Sequence, residues 1–157
     1  MEAPMDAEIF RRPGHLINRA ARLLVRLGEE RFQPLGLATA QLPVLSALKD
    51  GGSLTQKELA SLAQIEQPTM AQLLNRMERD KLIRRTANSQ DKRSSLISLT
   101  PKALKKLPLA KKTLLEGSQE ALRGFTEREI ETLSLFLLRI VKNLDPEAPG
   151  IDFDRVK

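Results

Sequence analysis

The stretch "LTQKELASLAQIEQPTMAQLLNRMERDKLI" (residues 54–83) decides the fold of this chain of 157 residues. Its second half predicts a helix, because apolar side chains recur there with a 3.6-residue period. The apolar positions are Met70, Leu73, Leu74 and Met77. The opposite face carries Thr69, Gln72, Asn75, Arg76 and Arg79. Glutamine, asparagine and arginine together are the residue types that read base edges, so this face is suited to nucleic-acid recognition.

A second, shorter helix is predicted just before it. Thr55 and Glu58 form a capping-box pattern, in which each side chain satisfies a free backbone N–H at the helix start. The segment "QIE" (residues 64–66) is too short for a relaxed loop, so the two helices must cross sharply. Pro68 suits a first helical turn, and we expect Gln67 at the N-cap. Residues 55–63 and 67–81 therefore predict a helix-turn-helix, with the second helix as the recognition helix.

After Leu82 the periodicity changes, and Ser95, Ile97 and Leu99 alternate with Leu96 and Ser98. The runs "LIRRT" and "SSLISL" enclose the polar segment "ANSQDKR" (residues 87–93), which is typical of a β-hairpin. A hairpin directly after a helix-turn-helix is a wing, here residues 82–99.

The remaining chain is mostly helical in pattern. Residues 1–7 are expected to be a flexible arm, residues 8–36 one helix that ends at Pro34 and Gly36, and residues 39–49 another. A long helix starts at Thr100 and Pro101 and is expected to run to Phe125 with a kink near Pro108. A second capping box, Thr126 with Glu129, precedes a last helix that ends near Leu144, and residues 146–157 form a tail. The domains expected are an N-terminal helix (8–36), a winged helix-turn-helix (37–100) and two C-terminal helices (101–145).

Composition excludes several classes of protein. The chain has no cysteine and one histidine, which argues against disulfides, thiolate metal sites, cysteine redox sensing and an enzyme. We expect no cofactor and no metal. No apolar run approaches the ~18 residues of a membrane span, and the N-terminus lacks the apolar core of a signal peptide. A cytoplasmic protein without a membrane partner is therefore expected.

The charge is concentrated in one region. The whole chain carries a net charge of +6, whereas residues 72–112 contain twelve lysines or arginines against three acidic residues, a surplus of nine. A localised positive surplus is what binding to phosphates requires, because it releases condensed counterions.

Together these elements resemble the MarR family (multiple antibiotic resistance regulators) over roughly residues 10 to 144. The most specific motif is "DKRSSLISLTPKA" (residues 91–103), which is similar to the family pattern D-x-R-x-x-x-[IVL]-x-L-T-x-x-G, with Ala103 where glycine is usual. The segment "LASLAQIEQPTMAQLLNRMERDKLIRR" is similar to the recognition region of the SlyA branch. The resemblance implies a mainly α fold with a small β wing: a winged helix-turn-helix flanked by N- and C-terminal dimerisation helices.

For the DNA contacts, the resemblance and the residue types agree. Major-groove or phosphate contacts are expected from the polar face of the recognition helix, and the resemblance places Arg93 in the minor groove. Asp91 is expected to brace the wing, either by pairing with the Arg93 guanidinium or by accepting backbone N–H bonds. The candidate DNA-binding residues are Thr69, Gln72, Asn75, Arg76, Arg79, Arg84, Lys92 and Arg93.

The apolar stripes of the terminal helices need a partner surface. The resemblance implies a two-fold homodimer, which would place two recognition helices about one DNA turn (~34 Å) apart over a pseudo-palindromic operator. An intramolecular bundle is the alternative. In the last helix the stripe consists of Leu133, Leu137, Ile140, Val141 and Leu144.

The family resemblance also implies a pocket for a small aromatic or carboxylate effector. The matching positions are His15, Arg19, Arg22, Leu42 and Ser46. Arginine could hold a carboxylate there, but Leu42 offers no aromatic ring to stack on a phenol. Arg19 and Arg22 could equally be surface charges, and His15 a helix-start residue.

Two functions remain open at this point. The first is a sequence-specific regulator that binds double-stranded DNA, expected to be a homodimeric repressor released by an effector. The second is a winged-helix interaction protein that binds RNA or an acidic protein. The polar, weakly charged row on the recognition helix favours the first.

Overall fold

The computed structural model describes residues 8–147; the predicted arm, residues 1–7, and the tail from residue 148 lie outside this part of the chain. The expected fold class is confirmed: helices dominate, and three short strands form one small sheet. The helices are α1 (Pro13–Phe32), α2 (Leu42–Ala47), α3 (Gln56–Ala63), α4 (Gln67–Arg79), α5 (Pro101–Ala121) and α6 (Glu127–Leu144). The strands are β1 (Leu54–Thr55), β2 (Ile83–Ala87) and β3 (Ser95–Leu99). The 3₁₀ turns Gln33–Leu35 and Thr39–Gln41 lie between α1 and α2.

The chain divides into two compact units. The first extends to Ala121 and contains the elements from α1 to α5, whereas the second begins at Leu122 and contains α6. Residues 101–145 therefore contribute one helix to each unit.

The core of the first unit is aliphatic and is built around α4. The apolar stripe predicted for this helix is confirmed, because Met70, Leu73, Leu74 and Met77 are all buried. Burying such side chains stabilises the fold by roughly 1.5–3 kcal/mol each. Side chains from the other elements enclose this stripe: Phe32, Val44, Leu45, Leu48, Leu59, Leu82, Ile97, Leu99 and Ala103.

The sheet is antiparallel with the strand order β1-β3-β2. Ile83 pairs with Leu99 and Arg84 pairs with Ser98. Because side chains alternate along a strand, Ile83 lies on the buried inner face and Arg84 on the outer face. The two-residue strand β1, which the sequence pattern did not predict, adds Leu54 against Ile97 on the other edge.

The end of α4 is fixed by a left-handed residue and by a contact from Thr100, the residue before α5. Lys81 has a φ of 58°, and its N–H donates to the carbonyl of Glu78 while Leu82 N–H donates to that of Met77. This is the Schellman arrangement, in which glycine is usual at the left-handed position. The Thr100 hydroxyl donates to the carbonyl of Lys81 at 2.6 Å. The last turn of α4, the wing and the start of α5 are thereby joined.

Some predicted boundaries were wrong. The segment 39–49 is not one helix: it opens as a 3₁₀ turn with Ala38 at the cap, and α2 covers only Leu42–Ala47. The N-cap of α4 is Glu66, not Gln67, and its side chain makes no capping hydrogen bond. Helix α4 ends at Arg79 because the left-handed Lys81 cannot continue it.

The long helix also differs from its expected course. Helix α5 continues through Pro108 as expected, and the kink at this proline stays a prediction. It ends at Ala121 instead of reaching Phe125.

Helices α1, α5 and α6 each carry several apolar side chains on their exposed faces. Leu23 and Leu24 on α1 and Leu115 on α5 are each about half exposed. None of the side chains of α6, all of which lie in the described part of the chain, is buried. The stripe predicted on α6 is present as a row, and its members are between 37% and 82% exposed.

Candidate nucleic-acid interface

The polar face of α4 is exposed to solvent. Thr69, Gln72, Asn75, Arg76 and Arg79 are all exposed, because the four apolar residues on the other side of the helix are held in the core. The sequence pattern predicted this division. Four side chains with hydrogen-bonding ends, at 69, 72, 75 and 76, thus form one row along the outside of the helix.

Helix α3 and its turn hold α4 in place. The predicted capping box is confirmed: Glu58 N–H donates to the Thr55 hydroxyl at 3.3 Å, and Thr55 N–H donates to the Glu58 carboxylate at 2.7 Å. These bonds lower the pKa of Glu58 below its ordinary value, with the backbone bond as the largest cause. Gln64, with a φ of 52°, makes the sharp turn into α4. The result is the helix-turn-helix geometry expected from the sequence.

The wing tip is held by short polar side chains. Asp91 Oδ1 accepts a hydrogen bond from the backbone N–H of Arg93 at 2.9 Å, and the Asp91 carbonyl accepts one from Ser94 N–H at 3.0 Å. Asn88 donates to the Ser94 hydroxyl at 3.0 Å across the base of the loop. Of the two bracing roles expected for Asp91, the structure contains the backbone one; no ion pair joins its carboxylate to the Arg93 guanidinium within residues 8–147. Lys92 and Arg93 are exposed at this tip.

Arg84 lies on the outer face of the sheet. Its Nε donates to the Ser98 hydroxyl at 3.2 Å, across the β2–β3 pair. The side chain is exposed. The candidates Arg84, Lys92 and Arg93 are therefore all exposed on the wing.

Arg85 is a residue that the sequence reasoning missed. It lies on the inner face of β2, and its guanidinium contacts α4: Nη2 donates to Asn75 Oδ1 at 2.9 Å, and Nε donates to Glu78 Oε2 at 3.1 Å. The signal that could have revealed it is the alternation of the strand, since Ile83 is a core residue and Arg85 must share its face.

Arg79 differs from Arg76 in its surroundings. Arg79 Nε contacts Asp80 Oδ1 at 3.1 Å, and its side chain is 72% exposed. A neighbouring carboxylate offsets part of its charge, so Arg76 is the stronger candidate for a base contact.

The residues proposed for an effector pocket lie in and after α1. Arg19, Arg22 and Ser46 are exposed, whereas His15 and Leu42 are half-buried. The His15 ring packs edge-to-face on Phe10, with 5.0 Å between the ring centres. Two surface cavities in the described part of the chain are lined by residues 125–136 and include none of these five.

Residues 8–147 contain no group of three or more histidine or carboxylate side chains placed to hold a metal ion. None of the helices described is both long and apolar enough to cross a membrane.

A basic wing beside an exposed, polar recognition helix defines the winged helix-turn-helix class of DNA-binding protein. The MarR family profile matches residues 35–94. An HTH-type transcriptional regulator of Bacillus subtilis, YwoH, is 34% identical over 120 residues, which cover 76% of this chain and 87% of YwoH. The chain belongs to the MarR family, and it is a DNA-binding transcriptional regulator rather than an enzyme.

Solved structures agree with this assignment. The transcriptional regulator SlyA is similar with a TM-score of 0.74 and 27% identity, over 90% of this chain and 96% of that one. A mutant of Escherichia coli MarR complexed with operator DNA has the same fold, with a TM-score of 0.78 and 24% identity over 88% and 99% of the two chains.

Proposed function

We propose that this protein is a homodimeric repressor that binds a pseudo-palindromic operator and is released from it by a small-molecule effector. In this proposal Gln72, Asn75 and Arg76 contact base edges in the major groove, with Thr69 at a phosphate or a thymine methyl. Arg93 enters the adjacent minor groove, and Lys92, Arg84 and Arg79 contact the phosphate backbone.

The observation that carries the proposal is the row of exposed polar side chains on α4. Four consecutive positions of this face, 69, 72, 75 and 76, present hydrogen-bonding ends, and only one of the four is charged. Non-specific binding to phosphates needs positive charge rather than amides and hydroxyls. Amide side chains in this position therefore favour base readout.

The homodimer is supported by the exposed apolar faces of α1, α5 and α6. Leu23, Leu115 and Leu137 expose between 39% and 53% of their surface. Soluble proteins seldom leave long apolar rows in contact with water, and such rows mark interaction surfaces. A two-fold dimer would cover them and set the spacing between the two recognition helices.

The effector proposal is supported by the charge and spacing of two arginines on α1. Arg19 and Arg22 are exposed one turn apart on α1, and a pair of guanidinium groups can hold a carboxylate. A panel of small aromatic carboxylates added to the DNA-binding assay tests it: an effector raises the apparent Kd of the wild type, and the Arg19→Gln, Arg22→Gln double variant does not respond.

The experiment that tests the main proposal is in vitro selection from random duplex DNA at about physiological salt, where non-specific binding is weak. We expect enrichment of an inverted repeat whose half-sites are about 10 base pairs apart. Binding that falls with salt but selects no sequence would contradict the proposal and would favour a partner such as RNA or an acidic protein.

A further inference from the structure

We infer that Arg85 is a specificity-determining residue that never needs to touch DNA: it fixes the orientation of the Asn75 amide, so that Asn75 presents its NH₂ group to the bases. This inference rests on the proposed function, because it assumes that Asn75 faces the major groove. According to this inference, Arg85 of the wing determines which bases Asn75 of the recognition helix can contact.

The contact itself is well defined. The Arg85 guanidinium reaches two residues of α4 at once, Asn75 at 2.9 Å and Glu78 at 3.1 Å, which lie three positions apart on one helix face. Arg85 has a side chain that is only 25% exposed. Its partner Glu78 supplies a carboxylate that holds the guanidinium in place, so the donor aimed at Asn75 has a fixed position.

The direction of this hydrogen bond determines the direction of the amide. A guanidinium carries five N–H donors and no acceptor. Only the oxygen of the Asn75 amide can therefore face Arg85, and a flipped amide would place its NH₂ group against N–H donors. The Nδ2 group must consequently point away from the wing strand.

This orientation changes what Asn75 can recognise. An unrestrained asparagine pairs with adenine by using both its oxygen and its NH₂ group. With Oδ1 engaged by Arg85, the outward group is a donor, which suits acceptor atoms in the major groove such as N7 and O6 of guanine or O4 of thymine. Adenine offers this donor only N7, because its N6 amino group needs the oxygen that Arg85 engages. We therefore expect Asn75 to favour base positions that offer acceptors over bidentate adenine contact.

The neighbouring arginine provides a matched control. Arg84 and Arg85 are adjacent in β2, yet Arg84 lies on the outer face and donates to Ser98. Replacing either by glutamine removes one positive charge from the same strand. Only Arg85→Gln removes the guanidinium from Asn75, so a difference between the two variants isolates the contact from the general loss of charge.

The test is selection from random duplex DNA with the wild type, Arg85→Gln, Arg84→Gln and Asn75→Ala. The base pair read by position 75 is the one whose preference disappears in Asn75→Ala. At that base pair, Arg85→Gln is expected to reduce the discrimination about tenfold and to admit adenine, since a free amide regains its bidentate contact. Arg84→Gln is expected to weaken binding to all sequences alike and to keep the preference.

Asn75→Asp tests whether position 75 presents a donor to the DNA. The carboxylate presents an oxygen in place of that donor, so the preference is expected to move toward the N4 amino group of cytosine.

Arg85→Lys decides the matter if Arg85→Gln does not give a cooperative thermal transition. Lysine keeps the positive charge beside Glu78 but lacks the planar fork of donors that reaches Asn75 and Glu78 at once. The same reduced discrimination is expected in Arg85→Lys, and an unchanged preference would overturn the inference.

The outcomes separate the two proposals. A wild type without any sequence preference overturns the proposed function and this inference with it. A selective wild type whose preference at the Asn75 position is the same in Arg85→Gln, or is unaffected by Asn75→Ala, overturns the inference alone.

Discussion

The side chain of Asp91 accepts a hydrogen bond from the backbone N–H of Arg93 at 2.9 Å, so a carboxylate shapes the loop that presents the basic end of the wing. The negative charge of Asp91 would repel the phosphates of bound DNA. Its structural role is to close the turn at the wing tip. The charge and the hydrogen bond of Asp91 should therefore act in opposite directions on DNA affinity.

Asp91→Asn and Asp91→Ala separate these two effects, because both remove the charge and only asparagine keeps the acceptor. We expect Asp91→Asn to bind DNA as tightly as the wild type or more tightly, and Asp91→Ala to bind about threefold to tenfold more weakly than Asp91→Asn, the equivalent of a hydrogen bond of about 1 kcal/mol. Equilibrium titration with one operator at fixed salt measures both values. Equal affinities for the two variants would mean that the hydrogen bond does not shape the wing.

Arg76→Ala is expected to relax the base preference at one position of each half-site, at a cost of about 1–3 kcal/mol. The matched control is Arg79→Ala, because this variant loses the same charge. The Arg79 side chain is 72% exposed and contacts Asp80. That variant should weaken binding uniformly. Measuring Kd on a set of single-base operator variants distinguishes the two, and the assignment fails if both variants give the same pattern.

Leu137→Lys is expected to prevent dimerisation. Leu137 belongs to the exposed apolar row of α6, and a charged side chain buried in a dimer would be strongly unfavourable. Sedimentation should detect a monomer, and affinity for a full operator should fall on the order of 100-fold or more as the second half-site contact is lost. Asn143→Lys, the same charge change off the row of the same helix, should remain dimeric; a dimeric Leu137→Lys protein would argue against this face as the interface.

Lys81 holds a left-handed conformation at the end of α4, with a φ of 58°. A side chain in this region costs roughly 1–2 kcal/mol compared with glycine, although glycine loses more entropy on folding. We expect Lys81→Gly to be more stable than Lys81→Ala by about 1 kcal/mol. Because both variants lack the lysine charge, thermal unfolding of this pair reports on the backbone alone, and an alanine variant of equal or higher stability would contradict the prediction.

The two capping boxes should make stability depend on pH. The hydrogen bonds from Thr55 to Glu58 and from Thr126 to Glu129, the backbone N–H first, lower the pKa of each carboxyl in the folded state. A lowered folded pKa favours the ionised form in the fold, so this stabilisation is present above the unfolded pKa and is lost as the pH falls through the folded value. Between about pH 6 and about pH 3, the wild-type Tm should therefore fall further than that of the Glu58→Gln, Glu129→Gln variant. Parallel curves would rule out this contribution.

Much of the fold follows from local patterns. The capping boxes at Thr55 and Thr126, the apolar stripe of α4 and the alternation of β3 are set by neighbours a few residues apart, and all were predicted. The segment 39–49 was misread because its apolar residues fit one helix, whereas Gln41 is drawn into the core and its amide oxygen caps Ala38 N–H at 3.0 Å. The 3₁₀ turn therefore depends on how Gln41 packs in the core, and the spacing of apolar residues along the sequence does not reveal that packing.

The candidate site also has features that the sequence predicts and one contact that it does not. Exposure of the residues on α4 follows from the burial of its other face, so the row from Thr69 to Arg79 could be predicted. The contact of Arg85 with Asn75 could not, because it joins a strand to a helix through side-chain ends whose distance depends on how both elements pack. Strand alternation reveals that Arg85 faces inward, but only the three-dimensional arrangement identifies its partners.

The alternation of Arg84 and Arg85 also restricts how the chain can vary in length. Inserting or deleting one residue between α4 and β2 would shift the strand by one place and turn every one of its side chains to the opposite face. Ile83 would then point to solvent, and the two arginines would exchange environments. The length of the short connection after Arg79 therefore determines which face of the sheet each side chain of β2 occupies. The loop between Ala87 and Ser95 lies beyond the paired strands, so an insertion there leaves the register unchanged.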